Sequence, residues 1–308
     1  MNIHPKFRVG WLLFTVPFIS TLNVSVVPSR AATLSSATTL VNVTNFSTNA
    51  ESSSVSVDTA AFAISPVEST IDLDSLDDSL GQEAITVESE NGSVVATADF
   101  NTVAFFPPAT SGVSSSFVSS ETDNEAFGSG GSYLGFSQTE STVLANFFLN
   151  PEAGETQTFS FDFNIFWELE TQATEAREQA TATADVSLQI CGRTSLTENP
   201  LFCDALSTFG IIDSSTPTEV FAFQKSDAFS VDVLNQPVVS GNPALNFQQA
   251  DFFALGSYQR EFETPIYLTL TELQNSEAYV TAPEPSATIA LFSLSAIAMA
   301  LGKRKKQL

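Results

Sequence analysis

Alternation of apolar and polar residues is the dominant pattern in the middle of the chain. In residues 158–170 the odd positions are apolar and the even positions polar, with Phe166 as the exception. Residues 180–190 alternate in the same way, with apolar residues at the even positions. A period of two indicates β-strands with one buried face. We predict two long strands that pair antiparallel, joined through residues 171–179 by a short helical turn or a wide hairpin loop.

Shorter segments of the same character recur along the chain between turn signals. Asn91-Gly92 is typical of a tight hairpin, and Gly154 marks a turn before the first long strand. The pattern predicts an all-β fold: an antiparallel two-sheet sandwich, jelly-roll-like in topology. Residues 33–36 are expected to be a polar leader, 111–132 a flexible loop and 277–285 a linker. The additional predicted strands are residues 40–46, 54–64, 83–88, 93–106, 133–137, 141–149, 219–224, 229–234 and 265–273.

The first 31 residues have a different pattern. Lys6 and Arg8 precede an apolar run at residues 9–27, and Ser29 and Ala31 place small residues at the two key positions before a cut. This arrangement predicts a secretory signal helix that is cleaved after Ala31. An uncleaved anchor is the alternative.

The last 26 residues combine three parts in a fixed order. A proline-rich motif is followed by an apolar run at residues 287–301 and then by a basic cluster. The run of 15 residues would span about 22 Å as a helix, at roughly 1.5 Å per residue. A permanent span needs roughly 20 residues, so a short transmembrane helix that is later removed fits better than an ordinary anchor. The cations would stay on the cytoplasmic side. The motif is Pro283, Glu284, Pro285 and Ser286, and the cluster is Lys303, Arg304, Lys305 and Lys306.

This tail resembles the PEP-CTERM sorting tail of Gram-negative bacteria. The resemblance implies an exosortase-type transpeptidase as partner, transient residence in the inner membrane, and delivery to the cell surface or the extracellular space. Residues 154–163 are also similar to strands of cyanobacterial PEP-CTERM surface proteins, and no activity is implied by that. The predicted organisation is a signal peptide at 1–31, a β-sandwich body at 32–282 and a sorting tail at 283–308.

The body is strongly acidic once both ends are set aside. It contains four of the 11 Lys and Arg and 34 of the 35 acidic residues, which gives a net charge of −30. Such a charge repels nucleic acid and favours metal cations or cationic partners. Asp72, Asp74, Asp77 and Asp78 could provide oxygen ligands for calcium, although the spacing is not that of an EF-hand and a solvated acidic loop is the alternative. Residues 121–125 form a second acidic segment, also expected to be a loop.

Few catalytic groups remain in the body. The single histidine, His4, lies in the signal, so histidine-based triads and zinc sites are excluded. Glu168 and Glu170, with Asp162 further along the strand, are a candidate carboxylate pair for glycoside hydrolysis, but a solvated sheet face is the preferred explanation in a body this acidic. Trp167 falls on the apolar side of its strand and is expected in the core rather than on a sugar platform. The remaining candidates for contacts with a sugar are Tyr133, Tyr258, Tyr267 and Tyr279.

Cys191 and Cys203 are the only cysteines. In an exported protein they are expected to form a disulfide, with two free thiols as the alternative. Taken together, the sequence predicts a non-enzymatic, exported, acidic surface or matrix protein with a structural or interaction role and no required cofactor. The alternatives are a carbohydrate-binding module for extracellular polysaccharide and a carboxylate-dependent glycan hydrolase.

Overall fold

The protein is described by a computed structural model that covers residues 32–65, 69–77, 80–88, 94–107, 116–129, 132–174, 178–195, 197–214, 216–235, 237, 239–242 and 246–282. These residues form fifteen β-strands. No helix in this part of the chain is long and apolar enough to cross a membrane. The strands are β1 (Ala32–Thr44), β2 (Ser52–Ile64), β3 (Ser69–Asp77), β4 (Leu80–Glu88), β5 (Val94–Phe105), β6 (Phe117–Ser129), β7 (Tyr133–Leu149), β8 (Gln157–Gln172), β9 (Gln179–Arg193), β10 (Phe202–Asp213), β11 (Thr216–Lys225), β12 (Phe229–Asn235), β13 (Ser240–Asn242), β14 (Phe247–Phe262) and β15 (Ile266–Ala282).

The strands build two sheets that pack as a β-sandwich. The eight-stranded sheet has the order β12-β14-β8-β1-β6-β5-β4, with β13 paired to β14, and the seven-stranded sheet has the order β11-β10-β9-β15-β7-β2-β3. Every pairing among the described strands is antiparallel. The predicted all-β, two-sheet sandwich is therefore confirmed.

The expected pairing of the two long alternating strands is wrong. β8 lies in the eight-stranded sheet beside β1 and β14, whereas β9 lies in the seven-stranded sheet beside β10 and β15. Both strands bury one apolar face, so they can face each other across the core instead of sharing a ladder. The connection between them carries the chain from one sheet to the other.

Four segments expected to be irregular are strands. Residues 117–129 of the expected loop form β6, residues 33–36 belong to β1, and residues 277–282 extend β15. The acidic residues Asp72, Asp74 and Asp77 lie in the edge strand β3 rather than in a loop. In β6 the inward positions are mostly small or polar, such as Ser120, Thr122 and Asn124. That composition hides the alternation on which the predictions depended.

The core divides into two clusters of different composition. The larger one, here called the aromatic core, contains Trp167, eight phenylalanines and Tyr258 among its buried residues. The smaller one, the alanine core, consists of eight alanines, three valines and Tyr133. Strand β15 passes through both, from Ile266, Leu268 and Leu270 at one end to Ala278, Val280 and Ala282 at the other.

A layer of buried polar side chains lies between the two cores, and we call it the polar belt. Its members come from both sheets and hydrogen-bond across the interior, for example from Thr39 Oγ1 to Gln274 Oε1 at 2.9 Å. Hydroxyls and amides can enter a core at little cost when they bond to each other. The belt consists of Thr39, Thr102, Ser120, Thr122, Asn124, Ser137, Thr139, Ser141, Glu272, Gln274 and Ser276, all of them buried.

Candidate functional site

The outer side of the eight-stranded sheet carries a dense set of carboxylates. Outward positions alternate with buried ones along β5, β6 and β8, so the acidic side chains of these strands project from the same surface. We call this surface the acidic face. It is the part of this surface that carries Asp99, Glu121, Asp123, Glu125, Glu168, Glu170 and Asp251. Asp162 and Glu261 lie on the same outer side, further along β8 and β14.

The strand register aligns these residues in rows across the sheet. Asp99 on β5 stands directly opposite Asp123 on β6, and Asp123 is opposite Thr38 on β1. Thr38 is in turn opposite Glu168 on β8, which pairs with Asp251 on β14. One row therefore crosses five strands and carries four carboxylates. Like charges directly opposite each other destabilise a sheet, so the arrangement is costly unless something outside the chain offsets it.

A second row runs beside the first. Glu125 on β6 is opposite Ser36 on β1, and Ser36 is opposite Glu170 on β8. Ser36 lies between the two glutamates and carries no charge that would offset their repulsion. Gln249 on β14 continues the row beside Glu170.

The carboxylates affect each other's ionisation. Burial among neighbouring side chains raises the pKa of Asp99, Glu121 and Glu125, and the charge of Asp123 raises each of them further. For Glu170 the causes are burial, then Glu168, then Glu125. The charge effect thus reaches from β6 to β8 across β1.

Few contacts within the chain relieve this charge. Burial raises the pKa of Asp123 even though Thr38 Oγ1 donates a hydrogen bond to Asp123 Oδ1 at 3.0 Å. Gln249 donates to Glu168, and Asn235 donates to Asp251 at 3.1 Å. These donors are neutral. No Lys or Arg occupies an outward position of β1, β5, β6, β8 or β14, so no cation of these strands neutralises the face.

Two of the three cations among the described residues have partners elsewhere, and the third, Arg193, lies on β9 of the other sheet. Arg260 forms an ion pair with Asp204 at 2.7 Å and lies over the ring of Phe202 at 3.6 Å. Lys225 donates to the backbone carbonyl of Phe229 at 2.8 Å. The acidic face therefore presents its charge to solvent.

The face is the open outer side of a sheet, which limits what it can bind. Neighbouring strands are spaced roughly 4.8 Å apart and alternate residues roughly 6.7 Å apart. Calcium needs six to eight oxygens at roughly 2.3–2.6 Å, which side chains spaced this far apart on one sheet face do not readily supply. Across the residues that the structure describes, no three acidic, histidine or cysteine side chains converge to hold a metal ion. The surface therefore suits a partner whose positive charge is distributed over several groups, such as a basic polymer. It is less suited to a single chelated ion.

Apolar side chains border the acidic rows. Phe166, the one exception in the alternation of β8, is opposite Leu40 on β1 and Phe253 on β14. All three are half-buried on the outer side of the sheet. A partner on this face would meet both negative charge and apolar surface.

The sites predicted from the sequence have different outcomes. Cys191 and Cys203 form a disulfide between neighbouring positions of β9 and β10, which confirms that prediction. Asp72 is exposed on β3, Asp74 and Asp77 lie in the same strand, and Asp78 lies outside the described residues. The predicted calcium site therefore stays a prediction. The signal cleavage residue Ala31 and the tail residues 283–308 also lie outside the described part.

The aromatic candidates are mostly core residues. Trp167 is fully buried, its indole N–H donates to Thr208 Oγ1 at 3.0 Å, and its ring stacks on Phe252 at 5.4 Å. The expectation that it packs in the core is confirmed. Tyr133 and Tyr258 are also fully buried, so they are not available as sugar contacts and that suggestion is wrong. Each lies at an inward position of its strand.

Sequence reasoning missed the acidic face because it assigned residues 121–125 to a loop. The acidic alternation at Glu121, Asp123 and Glu125 was the available signal for an outward strand face. In the comparisons with known proteins, the chain matches no family model and no curated protein.

Proposed function

We propose that this is an exported, non-enzymatic protein of the cell surface or extracellular matrix that acts by binding positively charged partners through its acidic face. The observation that carries the proposal is the concentration of seven carboxylates on one outer sheet face that bears no Lys or Arg. A surface of one sign attracts cationic partners and accelerates their encounter. The direct opposition of Asp99 and Asp123 is a stability cost that such a partner would offset.

Binding to polylysine at several salt concentrations tests the proposal. The triple variant D123N/E125Q/E170Q should bind about tenfold more weakly, since exposed ion pairs contribute roughly 0.5 kcal/mol each. It should also show a weaker dependence on salt. The matched control is E51Q/E152Q/E155Q, which removes the same charge at exposed positions outside the eight-stranded sheet. Equal weakening in both triple variants would mean that only net charge matters, and would refute a role for the face.

We further propose that the tail delivers the protein to that location. Its support is the order of Pro283-Glu284-Pro285, the apolar run and the basic cluster, which suits recognition by an exosortase-type transpeptidase in the inner membrane. Mass spectrometry of surface-fraction protein should find no peptide containing Lys303–Lys306. Intact tails in released material would contradict the sorting proposal and would leave the binding proposal open. The signal helix, the C-terminal transmembrane helix and the jelly-roll-like topology are part of this same proposal.

Extracellular polysaccharide is a second candidate partner, and a different surface favours it. Phe148 on β7 and Tyr267 on β15 are outward neighbours on the seven-stranded sheet, with ring centroids 4.6 Å apart. Paired rings of this kind can stack on sugars. On a glycan array, Y267A should lose signal that the control Y279A retains. We propose no hydrolase activity, because Glu168 and Glu170 project from the same open sheet face rather than from opposite walls of a cleft.

A further inference from the structure

Glu272 differs from every other member of the polar belt. It is fully buried at an inward position of β15, the central strand of the seven-stranded sheet. Its direct neighbours in the sheet are Val143 on β7 and Leu188 on β9, and both are fully buried and apolar. Neither carboxyl oxygen of Glu272 has a hydrogen-bond partner of normal geometry, and the Gln274 side chain is its one nearby polar influence. Glu272 therefore stands where the belt meets the aromatic core, in surroundings that do not solvate a charge.

The rest of the belt is well bonded. The hydroxyls of Thr122 and Ser276 are 2.6 Å apart, and Asn124 donates to Ser276 at 2.5 Å. Gln274, the inward residue next to Glu272, accepts from Thr39 and donates to the backbone carbonyl of Ser120 at 3.0 Å. These bonds tie the two sheets together. An ion beside them would compete for their donors.

No opposite charge faces Glu272. The inward positions of its sheet neighbours β7 and β9, and of β1, β6 and β8 in the other sheet, contain no Asp, Glu, Lys, Arg or His. The one titratable side chain among them is Tyr133, in the alanine core, whose hydroxyl donates to Thr33. A buried carboxylate without a cation is strongly disfavoured relative to its neutral acid.

We infer that Glu272 is held as a neutral carboxylic acid in the folded protein, and that its ionisation loosens the sandwich at the polar belt. The stability of the fold at alkaline pH is thereby limited by this one side chain. Burial raises the pKa of Glu272 to about 8, and the nearby Gln274 amide partly opposes the rise. The folded state thus binds this proton more tightly than the unfolded state does. Stability falls as pH rises from the unfolded pKa through the folded one, and then levels off.

Equilibrium unfolding of the purified protein between pH 5 and 9.5 tests the inference, with E272Q as the variant and E261Q as the control. Glu261 is exposed, so its removal should leave the pH dependence unchanged. Between pH 5 and 8, the unfolding constant of the wild type relative to E272Q should rise about tenfold per pH unit, because one proton is bound by the folded state alone. Parallel pH curves for wild type and E272Q would overturn the inference.

Infrared spectroscopy gives an independent measurement if E272Q does not fold. A protonated-carboxyl band should persist in the wild type at pH 7, fall to about half near pH 8 and disappear by pH 9.5. Native-state hydrogen exchange should then show faster exchange in the middle of β15 at alkaline pH than at pH 6. Absence of the band at pH 7, or its loss without faster exchange there, would contradict the inference.

Discussion

The two cores of the sandwich are filled with side chains of very different size. In the aromatic core large rings contact one another, as Phe161 does with Tyr258 at 5.1 Å and with Phe159 at 6.0 Å. In the alanine core most inward side chains are single methyl groups. Full burial of a large apolar side chain contributes roughly 1.5–3 kcal/mol, and a methyl group contributes far less. The comparison teaches that one fold can be stabilised by side-chain burial at one end and mainly by backbone pairing at the other.

The largest expected effect comes from truncating the centre of the aromatic core. W167A should lower the free energy of unfolding by about 3–5 kcal/mol, because it leaves a cavity and unpairs Thr208. A96G in the alanine core should cost only about 1–2 kcal/mol, from one lost methyl group and added backbone freedom. Urea denaturation measures both. Similar losses in the two variants would mean that the cores contribute equally.

Removing the disulfide should have the next largest effect. Cys191 and Cys203 join β9 to β10 beside Gly192, whose neighbours Phe202 and Ile266 belong to the aromatic core region. Replacing both cysteines by alanine should cost about 3 kcal/mol by the loss of loop closure in the unfolded chain. Urea denaturation of the double variant, compared with the wild type under reducing and non-reducing conditions, provides the measurement. If reduction does not change the wild-type midpoint, the bond contributes no stability.

Adding volume to the alanine core should reveal how closely its sheets approach. A Cβ at Gly135 would lie 2.9 Å from Val280 Cγ2 and 3.3 Å from Val94 Cγ1. G135A should therefore cost about 1–3 kcal/mol. In a double-mutant cycle with V280A the two losses should be less than additive, because V280A removes the closer methyl group. Equal stability of G135A and the wild type would indicate that this end of the sandwich can adjust.

The smallest effect should come from the acidic face, which lies outside both cores. Burial and mutual repulsion raise the pKa of Asp99, Glu121 and Glu125. Groups with raised pKa make the folded state less stable as pH rises through their titration range. D123N should weaken this dependence in thermal melts, because Asp123 repels all three. The control E261Q should not, and identical curves for D123N and the wild type would refute the coupling.

The sequence predicted best those strands whose inward side chains are uniformly apolar. β8 and β9 were located within a few residues because apolar side chains, led by phenylalanine in β8 and alanine in β9, fill one parity without interruption. β6 was missed because Ser120, Thr122 and Asn124 face inward, where their partners lie on β1, β7 and β15. A polar residue can be assigned to an inward position only when the strand that supplies its hydrogen-bond partner is known.

The candidate sites likewise could be predicted only where the residues involved are close in sequence. The disulfide could be predicted because its two cysteines are near each other in sequence. The acidic face could not, because it depends on the register of β6 with β1, whose facing residues Thr38 and Asp123 are 85 positions apart. Glu272 left a visible signal, since it interrupts the apolar parity that begins at Ile266 and Leu268. Alternation alone could not show whether that acid is buried.

The position of β15 has a consequence for how the protein assembles. This last strand lies in the middle of its sheet and is the sole bridge between the β11-β10-β9 group and the β7-β2-β3 group. Until β15 is inserted, those two groups are separate three-stranded ribbons with open edges. We therefore expect folding to be slow and to finish late, as is usual when contacts join distant parts of a chain. Because β15 is the last of the described strands, the seven-stranded sheet can close only when nearly all of the described residues are available.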